Sequence, residues 1–94
     1  MARIITTFEE TFTMMVNGEP KTIKVEHSEA TMSDITVYYT KVKEMERIYD
    51  ALKMEGAEVY YECNGDMMEG QSAELTIVDG NGMTNRRCAE FHAE

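Results

Sequence analysis

Four side chains of this sequence, His27, Cys63, Cys88 and His92, are the soft donors from which a zinc site or a cysteine nucleophile is built. A tetrahedral structural zinc would need all four. Only Cys88 and His92 lie close together, and no Cys-x-x-Cys knuckle accompanies them, so no metal site is expected. Nucleophilic catalysis by either thiol needs a neighbouring histidine to favour the thiolate, for instance His27 beside Cys63, and no spacing brings such a pair together. From Asp79 onward, Asp79, Asn81 and Glu90 fall at calcium-loop positions, but Met83 replaces a ligand and Thr84 the required glycine. The chain also lacks a phosphate-cradling glycine loop, a nucleophile elbow and HExxH. These readings lead to a non-enzymatic protein with no catalytic residue and no cofactor.

Charge is the stronger signal. Residues 1–53 carry nine acids and seven bases, net −2, whereas residues 54–94 carry nine acids and two bases, net −7. Between Glu55 and Asp79 there are seven acids and no base. Nucleic-acid binding rests on lysine and arginine at the phosphates, so direct DNA or RNA binding is disfavoured. The same field attracts a basic protein. If 57–63 is a strand, Glu58, Tyr60 and Glu62 share one face, at roughly 6.6 Å per two residues. With Glu55, Asp66, Glu69 and Glu74 they form the candidate partner-binding set, a negative strip imitating a nucleic acid.

Other residue types also point to binding. All five tyrosines, Tyr38, Tyr39, Tyr49, Tyr60 and Tyr61, lie between positions 38 and 61, and tyrosine offers contact area with a polar tip at low entropic cost. Met67 and Met68 fall in an expected mobile loop and supply adaptable apolar contact, whereas Met14 and Met45 read as core. Arg86 and Arg87 are the only bases of the acidic half and are the candidate anion-binding pair, with neutralisation of Glu74 or Glu90 as the simpler role.

The elements that would position these residues centre on Asp34 to Cys63. Val42, Met45, Ile48, Tyr49 and Leu52 recur at helical spacing with charges opposite, which predicts a helix from about Val42 to Glu55. Gly56 is its stop signal, and Ala57 to Cys63 alternates as a strand with Val59, Tyr61 and Cys63 toward the core. Ile35 to Thr40 is rich in β-branched and aromatic residues and is taken as a strand. The competing reading is a single long helix from Ser33, because Ile35, Tyr38, Val42, Met45, Tyr49 and Leu52 keep a 3,4 spacing. Upstream, Phe8, Phe12, Met14 and Val16 share a strand face, interrupted by Glu10, and Asn17-Gly18 is a two-residue hairpin turn. That turn sets Val16 opposite Glu19, Phe12 opposite Ile23 and Phe8 opposite His27. Pro20, which lacks a donor, is expected on the outer side of the hairpin's second strand or inside a looser four-residue turn. His27 to Ser33 reads as a polar connection. Downstream, Asn64-Gly65-Asp66 reads as a turn, Ala73, Leu75 and Ile77 as a strand face, and Asp79 to Gly82 as a reversal. The last twelve residues have few apolar anchors, so their register is weakly specified and frayed or partner-ordered ends are expected.

Ninety-four residues make one domain, 1–94, with a modest core that self-association would supplement, as a homodimer or higher oligomer. No run is long and apolar enough for a membrane span or signal peptide, and the two cysteines read as reduced thiols of a cytoplasmic protein. A Cys63 to Cys88 disulfide would require their strands to pair. The expected fold is α+β, a curved, largely antiparallel sheet of about five to six strands with one helix packed on it. The expected function is that of a small acidic interaction protein, a nucleic-acid mimic of the kind mobile elements encode. It would bind and inhibit or occlude a basic nucleic-acid-handling partner. The alternative is an oligomer that encloses a nucleotide or other anion between Arg86, Arg87 and a stacking tyrosine.

Overall fold

The computed structural model describes residues 3–66 and 68–94. The elements run β1 (Ile4–Val16), β2 (Glu19–Met32), α1 (Thr36–Met54), β3 (Glu58–Asp66), β4 (Gly70–Val78) and β5 (Thr84–Ala93). The five strands form one antiparallel sheet in the order β2-β1-β5-β4-β3, so the expected α+β class holds. Because α1 joins β2 to β3, it crosses from one edge strand to the other and covers one sheet face. Asn17 and Gly18 both take positive φ in the first hairpin turn, which asparagine tolerates and glycine, without a Cβ, adopts freely.

Among the described residues the main core cluster is one in which Phe8, Ala73, Leu75, Ala89 and Phe91 of the sheet meet Tyr38, Val42 and Met45 of the helix. Ala73 and Ala89 pair directly across β4 and β5, and Ala89 faces Phe8 across β5 and β1. Two small side chains thus lie side by side among larger ones, leaving room above them for helix side chains.

The long helix wins over the strand expected at Ile35 to Thr40. Its early turns contain poor helix formers, costing roughly 0.5 kcal/mol each. Tyr38 reverses the balance. It is fully buried, its ring meets Phe91 edge-on at 4.7 Å, and its hydroxyl donates to Gln71 Oε1 at 2.8 Å. Burying one large side chain is worth roughly 1.5–3 kcal/mol, enough with the half-buried Ile35 to offset the deficit. Asp34 Oδ1 accepts from the Thr36 amide at 3.0 Å at the start of the helix, and Gly56 follows its end with φ +82°, as its stop role requires. Of the expected helix contacts, Val42 and Met45 are buried, while Ile48, Tyr49 and Leu52 are half-buried.

Four further expectations change. His27 to Met32 is strand rather than connection, and a bulge shifts the β1 to β2 register between Glu10 and Thr11. Val16 faces Glu19 and Phe12 faces Ile23 as expected, but Phe8 faces Ser28 instead of His27. The extra residue moves His27 opposite Glu9, on the sheet face away from the helix. Asn64 to Asp66 continues β3, with Gly65 at φ +99° so close to the Gly70 carbonyl oxygen that a Cβ would collide with it. The final segment, expected to fray, is the central strand β5. Its few anchors are well placed, since Ala89 and Phe91 are buried and strands flank it on both sides.

Candidate partner-binding surface

The sheet register fixes which side chains share the face opposite the helix. One transverse row runs Glu62, Glu74, Cys88, Glu9, His27 across β3, β4, β5, β1 and β2. The next row runs Tyr60, Thr76, Arg86, Thr11, Lys24. A mainly acidic row therefore lies beside one with two bases, and they neutralise each other diagonally. Arg86 Nη2 meets Glu74 Oε2 at 2.5 Å, and Lys24 Nζ lies 3.5 Å from Glu9 Oε2. The hydrogen bond from Arg86 holds the Glu74 carboxyl below the usual glutamate range. Glu9 is likewise lowered, first by its hydrogen bond with His27, whose Nδ1 is 3.2 Å away, and then by the Lys24 charge.

This compensation stops at β3. Glu58, Tyr60 and Glu62 are exposed on the edge strand, and among the described residues neither glutamate has a basic partner. Tyr60, 58% exposed, donates its hydroxyl to Glu58 Oε2 at 3.1 Å. Asn64 Nδ2 donates to Glu62 Oε1 at 3.2 Å. The Glu58 hydrogen bond and charge raise the Tyr60 phenol, so it stays a neutral donor beside the carboxylate. Both bonds steady the carboxylates without cancelling their charge.

The other members of the candidate set are spread out. Glu74 neighbours Glu62 but is taken by Arg86. Glu55 caps the C-terminal end of α1. Asp66 Oδ1 accepts from the amides of Met68 and Glu69 at 2.9 and 2.7 Å and so shapes the β3 to β4 turn, which leaves Glu69 exposed beside it. Glu58 to Asp66 spans roughly 26 Å at about 3.3 Å per residue, an acidic ridge along one edge with Glu55 and Glu69 beyond its ends. Met68 is exposed near the far end, and Met67 lies outside the described residues.

Arg86 and Arg87 do not converge. As neighbours on a strand they face opposite sides of the sheet. Arg87 Nε lies 3.4 Å from Glu10 Oε2 beneath the helix, where Asn85 Nδ2 donates to the same oxygen at 2.9 Å. Each arginine therefore has its own glutamate.

Neither cysteine gains a histidine. Cys63 is exposed rather than in the core, and Cys88 is half-buried; both are free thiols on strands separated by β4. Cys88 belongs to a depression of about 250 Å³ lined also by Thr7, Glu9, His27, Arg86 and Glu90. Sequence reading did not group these residues, because only the bulge and the central place of β5 bring them together. Glu9 stands between Cys88 and His27 in the row, and burial pushes the thiol up, so it stays protonated. Among the described residues no three histidine, cysteine or acidic side chains form a metal-holding group, and no helix is long and apolar enough to cross a membrane.

No protein-family model matches the chain, and comparison with curated proteins and with solved structures returns no match.

Proposed function

We propose that this protein is a non-enzymatic cytoplasmic binder whose acidic β3 edge engages a basic, nucleic-acid-handling protein and occupies the surface that protein offers to phosphates. The observation that carries this reading is the uncompensated row Glu58, Tyr60, Glu62 on an exposed edge strand, beside a sheet face on which Glu74 and Glu9 have basic partners. Regularly spaced negative charge with a rigid aromatic between carboxylates suits a groove that otherwise tracks a phosphate backbone. The nucleotide-binding alternative has less support, since Arg86 and Arg87 sit on opposite faces and each is paired.

The test is competition. A basic nucleic-acid-binding protein captured from a host lysate should be released by rising salt and by added duplex DNA or RNA. The Glu58→Lys/Glu62→Lys variant should bind it more slowly and more weakly. Exposed unpaired charges contribute within about 0.5 kcal/mol each, so the variant should melt close to the parent. A partner that is indifferent to both nucleic acid and the double reversal would sink the proposal.

A further inference from the structure

The opposite edge of the sheet has a different character. β2 is an edge strand fourteen residues long, and through its outer row it is exposed almost from end to end. An uncovered strand of this length is a template for another strand unless something restricts what can add to it. Here the restriction is the order of its charges. The first half carries Lys21 and Lys24 after Glu19 at the turn; the second carries Glu26 and Glu29 and no lysine or arginine. Lys21, Glu26 and Glu29 have no ion-pair partner among the described residues. Ile23, beside Lys24, and Val25, at the junction of the halves, are 52% and 51% exposed.

We infer that β2 is the site of self-association, pairing antiparallel with β2 of a second copy about a two-fold axis near Val25 to give a continuous ten-stranded sheet. Antiparallel pairing lays the basic half of one strand along the acidic half of the other, twice over, and brings the exposed Ile23 and Val25 of both copies to the centre. A parallel neighbour would set lysines by lysines and glutamates by glutamates. The bulge adds selectivity. It lies at Val25, so the axis places two identically bent strands side by side, whereas a flat foreign strand meets a bend it does not share. A homodimer formed this way is isologous, as most are, and leaves both β3 edges free at the far ends. The inference does not depend on the role proposed for β3.

Light scattering after size exclusion and sedimentation equilibrium across a concentration series read the oligomer directly. The parent should be a concentration-dependent dimer. Lys21→Glu/Lys24→Glu makes both halves acidic, Glu26→Lys/Glu29→Lys makes both basic, and each should raise the dimer dissociation constant by roughly tenfold or more. Mixing the two should restore a dimer, now heterodimeric and visible by native mass spectrometry. The four-site swap should restore the homodimer, which guards against a variant that merely fails to fold. Glu58→Lys/Glu62→Lys should leave dimerisation unchanged, separating this edge from the other. A monomeric parent at every concentration, a dimer insensitive to both half-reversals, or a dimer that they weaken and neither mixing nor the four-site swap restores, would overturn the inference.

Discussion

Arg86 and Arg87 are adjacent in sequence yet carry unlike energetic weight. The Arg87 side chain is 26% exposed and its partner Glu10 15%, with Asn85 completing the cluster, so truncating Arg87 leaves a carboxylate half out of water beneath the helix. Arg87→Ala should cost roughly 1–3 kcal/mol in urea denaturation, below the figure for a fully buried pair. Arg86→Ala, at the exposed Glu74 pair, should cost at most about 1 kcal/mol. The Glu74 pair has a pH signature instead. Its carboxyl is lowered in the folded chain by the Arg86 hydrogen bond, so the unfolded chain binds that proton more readily. The contribution is whole above the usual glutamate range and is lost as pH falls through the lowered value. Arg86→Ala should therefore lose less stability than the parent on acidification through this window, as read by melting temperature against pH. Equal losses would mean the pair is not formed in solution.

At the scale of elements, α1 is held by its N-terminal half. Met45 is almost completely buried and Tyr38 completely, whereas Leu52 near the end is half-buried. Met45→Ala should cost about 2–5 kcal/mol, and Leu52→Ala a smaller amount, roughly 1–2 kcal/mol, because its site already touches water. Chemical denaturation of the two variants checks the order. The reverse order would mean that the helix packs through its last turns, as the Val42 to Glu55 periodicity alone would have it. β5 shows the same logic in a strand. Its apolar anchors are few, but two sit at full burial between paired neighbours, so position rather than number specifies it.

For the whole molecule, a net charge of −9 on 94 residues is a standing self-repulsion concentrated in residues 54–94. Screening is expected to relieve that repulsion more than it weakens the few exposed ion pairs. Moderate salt should accordingly raise the melting temperature while weakening capture of a basic partner. These opposite signs in one titration are checked by differential scanning calorimetry beside a binding assay. A melting temperature that falls with salt would show the ion pairs outweighing the repulsion.

Local chemistry determined much of this protein from the sequence. Asn17-Gly18 set the first hairpin and its register near the turn, Gly56 stopped the helix, and the alternation from Glu58 to Glu62 placed two acids and a tyrosine on one exposed face. These features depend on backbone conformations or periods that neighbouring residues fix among themselves. Tertiary structure decided what local preference left balanced or invisible. Burial of Tyr38 against Phe91 turned a strand-like run into helix, and one extra residue at Val25 carried His27 across the sheet to Glu9. Pairing with both β1 and β4 made the sparsest segment the central strand. In each case the deciding free energy came from a partner distant in sequence, which no local pattern encodes.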